Sequence, residues 1–407
     1  MTSAVIDITR QRDRRAVRRH ALAALGLLHR QPFGRGLGGT AKAFGHLGYV
    51  QIDSISVVER AHHHVLHSRV PGFEPSMIDR LLHRREIFEY WSHAAAFLPM
   101  SDFRYSLPYK DAINRGQVHW NRNPDTKLMN ELLARVRSEG PLKSRDLDNP
   151  STRREGWWDW KPAKKALEQL YMRGDLMVSD REGFQKTYDL AERVLPADVD
   201  CSMPSLEEQA AYLLDQQLRS HAFVTLKGVT YLRKGAPLRA AVKALVDARL
   251  AAGELEQVRV DGTVFLCQAG LLQRPMPRAA QRLSILSPFD HGVIQRERLE
   301  ALFGFQYQLE CYLPEGRRRY GYFSLPLLYR DRFVGRMDCK VHRKARRLEI
   351  RTLHFEPQGV DDEALMAAFC EALEAFMAFQ GCDTVSVGRV EPVEAAQRVA
   401  SALRQRF

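Results

Sequence analysis

The chain has 407 residues, of which 45% are hydrophobic and 27% charged, values typical of a folded globular protein. Charged residues interrupt every long apolar stretch, so no segment is expected to span a bilayer. Sixty-one Lys and Arg against forty-nine Asp and Glu give a formal net charge of +12. This surplus favours a polyanionic partner, either nucleic acid or a membrane surface, over a solvated basic face without such a partner.

The cysteines and the N-terminus restrict the class further. Six cysteines occur without any CxxC pair, which makes a zinc ribbon or a disulfide framework unexpected and favours reduced thiols. Near the N-terminus, Asp7 and Asp13 argue against a targeting peptide. We therefore expect a cytoplasmic protein with reduced thiols.

The first elements in the chain are two helices followed by a strand. RRAVRRHALAALGLLHR has the pattern of a helix, and the glycine-rich connection PFGRGLGG follows it. Thr40 is placed to cap a second helix, AKAFGHLG. The next segment, YVQIDSISV, alternates apolar and polar residues, which predicts a strand with Gln51 and Asp53 on one face.

The same order returns twice. LMNELLARVRSEG and PAKKALEQLYMRG predict helices, and DLMVSD–REG–FQKTYDL predicts a β-hairpin. SLEEQAAYLLDQQLRSHA begins with a capping-box spacing between Ser205 and Glu208, VTLKGVTYL resembles a short strand and turn, and LRAAVKALVDARLAAG is a further helix. The last hairpin, ELEQVRV–DG–TVFLCQAG, turns at Asp261 and Gly262.

Helix, connection, helix and two-stranded wing is the order of a winged helix-turn-helix module. The sequence thus predicts an α+β protein with three tandem modules in residues 1–120, 121–200 and 201–275. Tandem modules favour DNA binding, although winged helices also serve as protein-interaction modules. The modules align on the glycine that ends each second helix, namely Gly48, Gly174 and Gly253.

Residues 276–407 have a different pattern, one that predicts strands more than helices. Short alternating stretches (LSILSPFD, YQLECYLP, YGYFSLPLLYR, RFVGRMDCKVHR and RLEIRTLHF) predict an antiparallel sheet or small barrel. A helix, DDEALMAAFCEALEAFMAFQG, and a final strand or helix complete the chain. We expect a C-terminal antiparallel β-barrel-like domain that carries many arginines.

The first module alone carries an amide and a carboxylate on its predicted wing strand. At the positions of Gln51 and Asp53, the second module has Met177 and Ser179. An ion pair with a nearby Arg or Lys is the ordinary role for such an Asp. The alternative is stabilisation of the positive charge that develops when an N-glycosidic bond breaks, with the amide holding a water molecule. One carboxylate suffices if the departing base is a cationic alkylated purine, because that base leaves neutral without an acid.

These residues carry a resemblance to a known family. GYVQIDSISVVERAHHHVLHSR, EYWSHAAAFLP, GWWDWK and SPFD together resemble the winged-helix bacterial DNA interstrand-crosslink glycosylases. The triplet Gln51-Ile52-Asp53 is similar to the Gln–apolar–Asp triplet of the YcaQ/AlkX branch, whereas the related AlkZ branch has Gln–apolar–Gln. The resemblance covers nearly the whole chain.

The resemblance implies three winged helices and a C-terminal β-barrel wrapped around duplex DNA. It also implies excision of N7-alkylguanine lesions, including interstrand crosslinks, without a metal or cofactor. Gln51 and Asp53 would be the catalytic pair. The expected partner is double-stranded DNA with alkylated or crosslinked purines, with no membrane and no obligate protein partner.

Histidines follow the catalytic triplet. A metal site is one interpretation of the three consecutive histidines, His62, His63 and His64. Three consecutive side chains, however, rarely converge on one ion. We expect them, together with Arg60, to contact DNA or the catalytic strand. A buried structural role is the alternative for one of the histidines.

Two further groups are candidates for contact with DNA or the lesion. Tyr90, Trp91 and His93 line either the lesion site or the core. Arg317, Arg318 and Arg319 form either a hairpin tip that probes a DNA groove or a solvated loop.

Two function classes remain open from the sequence. A lyase would need a lysine of strongly lowered pKa beside the Gln51–Asp53 triplet, so we expect a monofunctional, water-using DNA glycosylase that acts as a monomer. The alternative is a non-catalytic winged-helix transcriptional regulator.

Overall fold

The computed structural model describes residues 5–121, 123–147, 160–233, 235–357 and 363–406. The chain divides into two compact units. The first unit comprises Met1–Leu47, Gln51–Glu74 and Ala210–Phe407, and the second comprises Gly48–Val50 and Pro75–Gln209. Residues 156–159 of the tryptophan-rich motif lie outside the described residues.

Helices and strands alternate along the chain in an α+β arrangement, as the sequence predicts. The helices are α1 (Gln11–Ala24), α2 (Gly36–Leu47), α3 (Ala61–His67), α4 (Ser76–His83), α5 (Leu107–Asn114), α6 (Thr126–Glu139), α7 (Trp160–Arg173), α8 (Ala191–Val194), α9 (Leu206–His221), α10 (Leu226–Val229), α11 (Ala236–Ala251), α12 (Arg296–Phe303), α13 (Glu363–Gln380) and α14 (Glu394–Arg406). The strands are β1 (Ile6–Asp7), β2 (Val50–Gln51), β3 (Ile87–Trp91), β4 (Ala95–Pro99), β5 (Leu142–Lys143), β6 (Leu176–Glu182), β7 (Gln185–Leu190), β8 (Leu255–Val260), β9 (Thr263–Gln268), β10 (Leu283–Ile285), β11 (Ser324–Tyr329), β12 (Arg332–His342), β13 (Arg347–Phe355) and β14 (Thr384–Glu391). None of the helices in the described ranges is both long and apolar enough to cross a membrane.

Local capping signals set the start of several helices. The Asp125 carboxylate accepts a hydrogen bond from the backbone N–H of Leu128 at 3.0 Å, which satisfies a free donor of α6. The predicted capping box of α9 is confirmed, because Ser205 Oγ accepts from the Glu208 N–H and Glu208 Oε2 accepts from the Ser205 N–H. Thr40 was expected to be an N-cap, but α2 begins four residues earlier and the Thr40 hydroxyl donates to the carbonyl of Gly36 inside the helix.

The two predicted hairpins are confirmed. Strands β6 and β7 pair antiparallel, and so do β8 and β9. The latter turn places Asp261 and Gly262 at φ 46° and 80°, the left-handed conformation of a tight hairpin turn. VTLKGVTYL differs from its predicted strand, because only Val224 makes a bridge, to Leu266, and the short helix α10 follows.

Three small sheets belong to the helix-rich part of the chain. Their strand orders are β1-β8-β9, β2-β4-β3 and β5-β7-β6. The EYWSHAAAFLP motif forms the hairpin of β3 and β4, with Tyr90 opposite Ala96. The first sheet also contains the N-terminal strand β1, which pairs parallel to β8.

The C-terminal part is an open sheet and not a barrel. Its five strands lie in the order β10-β11-β12-β13-β14, and within the described residues the edge strands β10 and β14 do not pair with each other. Strands β13 and β14 run parallel because α13 connects them, and a helical crossover returns the chain in the same direction. The apolar face of α13, including Phe369 and Leu373, packs in the buried core of this sheet. YQLECYLP, predicted as a strand, contains a 3-10 turn at Glu310–Tyr312.

Candidate active site

The candidate catalytic triplet lies where a short strand ends. Strand β2 contains only Val50 and Gln51, so the predicted alternation does not extend to Asp53. The reason is local: the Asp53 carboxylate accepts a hydrogen bond from the backbone N–H of Ile55 at 2.7 Å, a bond that favours a turn over a strand. Gln51 and Asp53 are both partly exposed, as residues that receive a substrate should be.

The segment after Asp53 is fixed to the C-terminal sheet. The carbonyl of Val57 accepts from the N–H of Val341 at 2.8 Å, and Arg343 donates to the carbonyl of Ser56 at 2.9 Å. Val58 is buried in the core of that sheet. The candidate carboxylate therefore lies at the start of a segment with little freedom to move, which limits the reorganisation needed during reaction.

Asp53 carries a charge without an ion-pair partner. In the described residues, no Lys, Arg or His nitrogen forms a salt bridge with its carboxylate, which removes the ordinary structural role for this Asp. Partial burial raises the pKa of Asp53, and the hydrogen bond from the Ile55 N–H opposes that rise. A partly desolvated carboxylate without a cation is suited to stabilise positive charge that appears elsewhere.

Two neighbours of Asp53 were missed by the sequence analysis. Burial and the charge of Asp53 raise the pKa of the Cys311 thiol, and partial burial together with Cys311 and Asp53 raises the pKa of Tyr312. Tyr312 is 79% exposed, the largest exposure among the exposed large hydrophobic residues of the described chain. The strand predicted for YQLECYLP gave no reason to bring these residues to the triplet, more than 250 positions away.

The arginine cluster lies in the same irregular segment and not on a hairpin tip. Arg317 ends a 3-10 turn that precedes β11, and both Arg317 and Arg319 are exposed. Arg318 is held more firmly, because its Nε donates to the carbonyl of Leu313 at 2.9 Å and its guanidinium lies 5.0 Å from the ring centre of Tyr322. The segment therefore presents Arg317 and Arg319 to solvent, with the Arg319 guanidinium 4.9 Å from the ring centre of Tyr320.

The buried carboxylate of Glu310 fixes the conformation of this irregular segment. Glu310 accepts hydrogen bonds from the backbone N–H groups of Tyr320 at 2.8 Å and Gly321 at 3.2 Å. These bonds hold the two ends of the segment together. Tyr312 and the arginines thus extend from a closed loop of defined shape.

The three consecutive histidines lie on helix α3. His62 and His64 are buried, and His64 Nε2 is 2.9 Å from the carbonyl oxygen of Ile285. Burial lowers the pKa of His64 to about 4, so its ring is neutral and interior, and a direct contact with phosphate is not available to it. His63 is partly exposed and its Nδ1 lies 2.8 Å from Glu59, while Arg60 precedes the helix at its partly exposed N-terminus. The described residues contain no group of three or more His, Cys, Asp or Glu side chains that could hold a metal ion.

The aromatic candidates belong to the hairpin of β3 and β4 in the second unit. Tyr90 is a core residue, since its ring is buried and its hydroxyl donates to the carbonyl of Met172 at 2.7 Å. Trp91 and His93 are partly exposed and meet other rings edge-on, Trp91 against Trp120 and His93 against Tyr49. Trp91 and His93 are therefore accessible to a ligand, whereas the buried ring of Tyr90 is not.

The second unit also contains a lysine that the sequence analysis overlooked. Lys110 is buried, its ammonium nitrogen is 3.9 Å from the ring centre of Phe103 and 4.7 Å from that of Tyr90, and burial lowers its pKa to about 7. No carboxylate in the described part of the chain forms a salt bridge with it. Enclosure by aromatic rings keeps this amine away from bulk solvent.

Comparison with known proteins identifies the chain. The DNA glycosylase AlkZ of Streptomyces sahachiroi has a similar fold, with a TM-score of 0.60 at 18% sequence identity over 92% of this chain and 99% of that one. The sequence model of the family described as "DNA glycosylase AlkZ-like" matches residues 44–379, a range that includes the Gln51–Asp53 triplet and the loop of Tyr312. The chain therefore belongs to the AlkZ-like DNA glycosylase family and is a DNA-repair enzyme, as its resemblance predicted, and not a non-catalytic regulator.

Proposed function

We propose that this DNA glycosylase hydrolyses the N-glycosidic bond of cationic N7-alkylguanine lesions in duplex DNA, including interstrand crosslinks. Asp53 and Gln51 carry the reaction. The observation that most favours this function is that Asp53 is partly buried and yet has no ion-pair partner in the described residues. Such a carboxylate is poised for the positive charge of a transition state.

The reaction needs few groups. The bond between C1′ of the sugar and N9 of the purine breaks, and its electron pair neutralises the alkylated base, which leaves without general-acid help. Asp53 stabilises the oxocarbenium-like sugar and accepts a proton from the attacking water. Gln51 positions that water, because its amide both donates and accepts hydrogen bonds. The protein acts with side chains and water alone, as a monofunctional glycosylase without a metal or cofactor.

The helix-rich part of the chain is proposed to form three winged helix-turn-helix modules. Each proposed module has two main helices and one three-stranded sheet, with α1 and α2, α6 and α7, and α9 and α11 as the helix pairs. The +12 net charge favours their use on the phosphate backbone of duplex DNA. The open C-terminal sheet supports the catalytic segment. A monomer working on DNA in the nucleoid needs no obligate protein partner.

The proposed contacts with DNA come from partly or fully exposed residues. They are Arg60, His63, Trp91, His93, Arg317, Arg318, Arg319 and Tyr312. His62, His64 and Tyr90 are buried, and each is proposed to support the fold of its own unit instead of contacting DNA. An exposed aromatic ring beside the catalytic carboxylate favours stacking against a base next to the lesion.

The test is base release from duplex DNA that contains N7-methylguanine or a nitrogen-mustard crosslink. Wild type should release the base, and Gln51→Ala and Asp53→Asn should lose release while still binding DNA. Asp383→Asn is the matched control, because Asp383 is an exposed carboxylate already paired with Arg346. Release that survives in Asp53→Asn would contradict the assignment. Absence of release by wild type on both substrates would leave the lesion class unsupported.

A further inference from the structure

A cavity of about 410 Å³ lies in the first unit, apart from the residues of the triplet. Residues from four segments line it, in the ranges 30–35, 67–72, 282–285 and 368–376. One segment is the glycine-rich connection before α2, which the catalytic proposal does not use. The residues that line this cavity therefore have no role in the proposed reaction.

Four arginines and one carboxylate line the cavity. Two of the arginines are neutralised, since Arg69 makes a buried bidentate pair with Asp290 at 2.6 and 2.9 Å and Arg30 pairs with Glu371 at 3.1 Å. In the described residues, neither of the other two, Arg35 and Arg282, forms a salt bridge. The cavity wall thus carries two guanidinium groups outside any salt bridge, and the charge of Glu371 only partly offsets that of Arg282.

Arg282 is held rigidly toward this cavity. Its Nη1 donates to the carbonyl of His29 at 3.1 Å and its Nη2 to that of Ser68 at 2.6 Å. Burial and the nearby charges of Arg69 and Arg30 lower the pKa of Arg282 to about 10, and the charge of Glu371 only partly opposes that fall. A desolvated cation among cations is costly unless an anion approaches it.

Arg35 completes the charged wall from the glycine-rich connection. It lies between Gly34 and Gly36, whose φ angles of 87° and 57° turn the chain on either side of it. His67, which also lines the cavity, stacks on Phe379 at 4.0 Å, and burial lowers its pKa to about 3. The positive charge of the cavity therefore comes from arginine and does not vary over the physiological pH range.

We propose that this cavity binds a phosphate group, with Arg35 and Arg282 as its principal donors. A guanidinium matches the geometry of phosphate oxygens and stays charged, which makes arginine the residue of choice for such a site. The phosphate is either a phosphodiester of bound DNA or a free phosphate-type anion. Only the first source depends on the proposed action on DNA.

Binding of pyrophosphate, measured by titration calorimetry, tests the site itself. Arg35→Gln and Arg282→Lys should each weaken pyrophosphate binding about tenfold, the loss expected for one charge-assisted hydrogen-bonded contact. Arg347→Gln is the matched control, because Arg347 is exposed and outside the cavity lining. The melting temperature of each variant without anion shows whether it is misfolded. Arg35 is exposed, so its substitution is not expected to disturb folding, and a loss of pyrophosphate binding in Arg35→Gln reports on the site.

The affinity for undamaged duplex DNA over a range of salt concentrations separates the two sources. If the cavity holds a DNA phosphate, Arg35→Gln should reduce the slope of log K against log salt by about 0.9, and pyrophosphate should compete with DNA. If it holds a free anion, Arg35→Gln should change pyrophosphate binding alone. Unchanged pyrophosphate binding and an unchanged salt slope in both variants would overturn the site. These measurements involve no base release, so failure of the proposed lesion chemistry would leave them intact.

Discussion

Two carboxylates of this enzyme have opposite surroundings. Glu89, in the second unit, has a fully buried side chain and makes ion pairs with Arg181 at 2.6 Å and Lys186 at 2.8 Å. Burial alone would raise the pKa of Glu89, but Lys186 and Arg181 outweigh it and lower that pKa. Asp53 is less buried, has no such cation in the described residues, and its pKa is raised. A carboxylate paired with cations serves the fold, whereas one without a cation is available to a substrate.

The largest effect on stability should follow from removing the Glu89 carboxylate, which is paired with two cations. Glu89→Ala leaves two cations without their counter-charge, so we expect a loss of about 3–5 kcal/mol in the free energy of unfolding. Denaturant unfolding of the variant measures this loss. A control, Glu297→Ala, removes an exposed partner of Lys227 and should cost less than about 1 kcal/mol. Equal losses in the two variants would contradict the contrast.

The second effect should fall on rate and not on stability. Asp53→Asn should lower the rate of base release about 10²–10³-fold, as expected when one preorganised electrostatic group is removed, with an unchanged melting temperature. The wild-type rate should fall on the acid side as Asp53 takes up a proton. Because the pKa of Asp53 is raised above 3.8, that fall should begin at higher pH than for an ordinary Asp. A pH–rate profile under single-turnover conditions measures it.

The third effect should be a pH-dependent change in stability on replacing Lys110, a buried cation that forms no salt bridge in the described residues. The pKa of Lys110 is lowered from 10.5 to about 7, so below pH 7 the folded state bears the full cost of a buried charge. That cost disappears as the pH rises toward 10.5, where both states are neutral. Lys110→Met should therefore stabilise the protein at pH 7 by about 2 kcal/mol, after allowance for the lost ring contacts. The gain should shrink at pH 9.5, and a gain independent of pH would refute this origin.

The smallest effect should come from Tyr312, the exposed aromatic residue near Asp53. Tyr312→Ala should weaken binding of lesion-containing duplex by about 1 kcal/mol or more through lost stacking, and raise KM more than it lowers kcat. Tyr312→Phe keeps the ring and should behave as wild type. Leu232→Ala, another exposed apolar residue of the first unit, is the control. An effect of Tyr312→Phe equal to that of Tyr312→Ala would point to the hydroxyl instead.

Local chemistry made much of the fold predictable from the sequence. The capping box at Ser205 and the Asp261-Gly262 turn depend on residues a few positions apart, and the structure reproduces both. Likewise Gly48, Gly174 and Gly253 all adopt positive φ at the ends of helices. Such features are fixed by short-range hydrogen bonds and backbone sterics.

The parts that the sequence did not predict depend on distant partners. The barrel was wrong because alternation identifies strands but not which strands pair at the edges. The strand through Asp53 was wrong because of a local bond, from the Ile55 N–H to the Asp53 carboxylate, but the anchoring of the segment that follows depends on Val341 and Arg343, nearly 300 positions later. The pairing of Arg69 with Asp290 joins SPFD to the segment that follows the candidate triplet, yet only tertiary structure reveals it.

The interrupted sequence of the first unit has a consequence for synthesis on the ribosome. The second unit lies mainly in one stretch that ends at Gln209, so it can fold as soon as that stretch has emerged. The N-terminal strand β1 must wait for β8, and the segment after Asp53 must wait for β12. At elongation rates of about 5–20 residues per second, completion of the remaining chain takes roughly 10–40 s. The segment after Asp53, the proposed catalytic carboxylate, is thus fixed in place only after β12 has been synthesised.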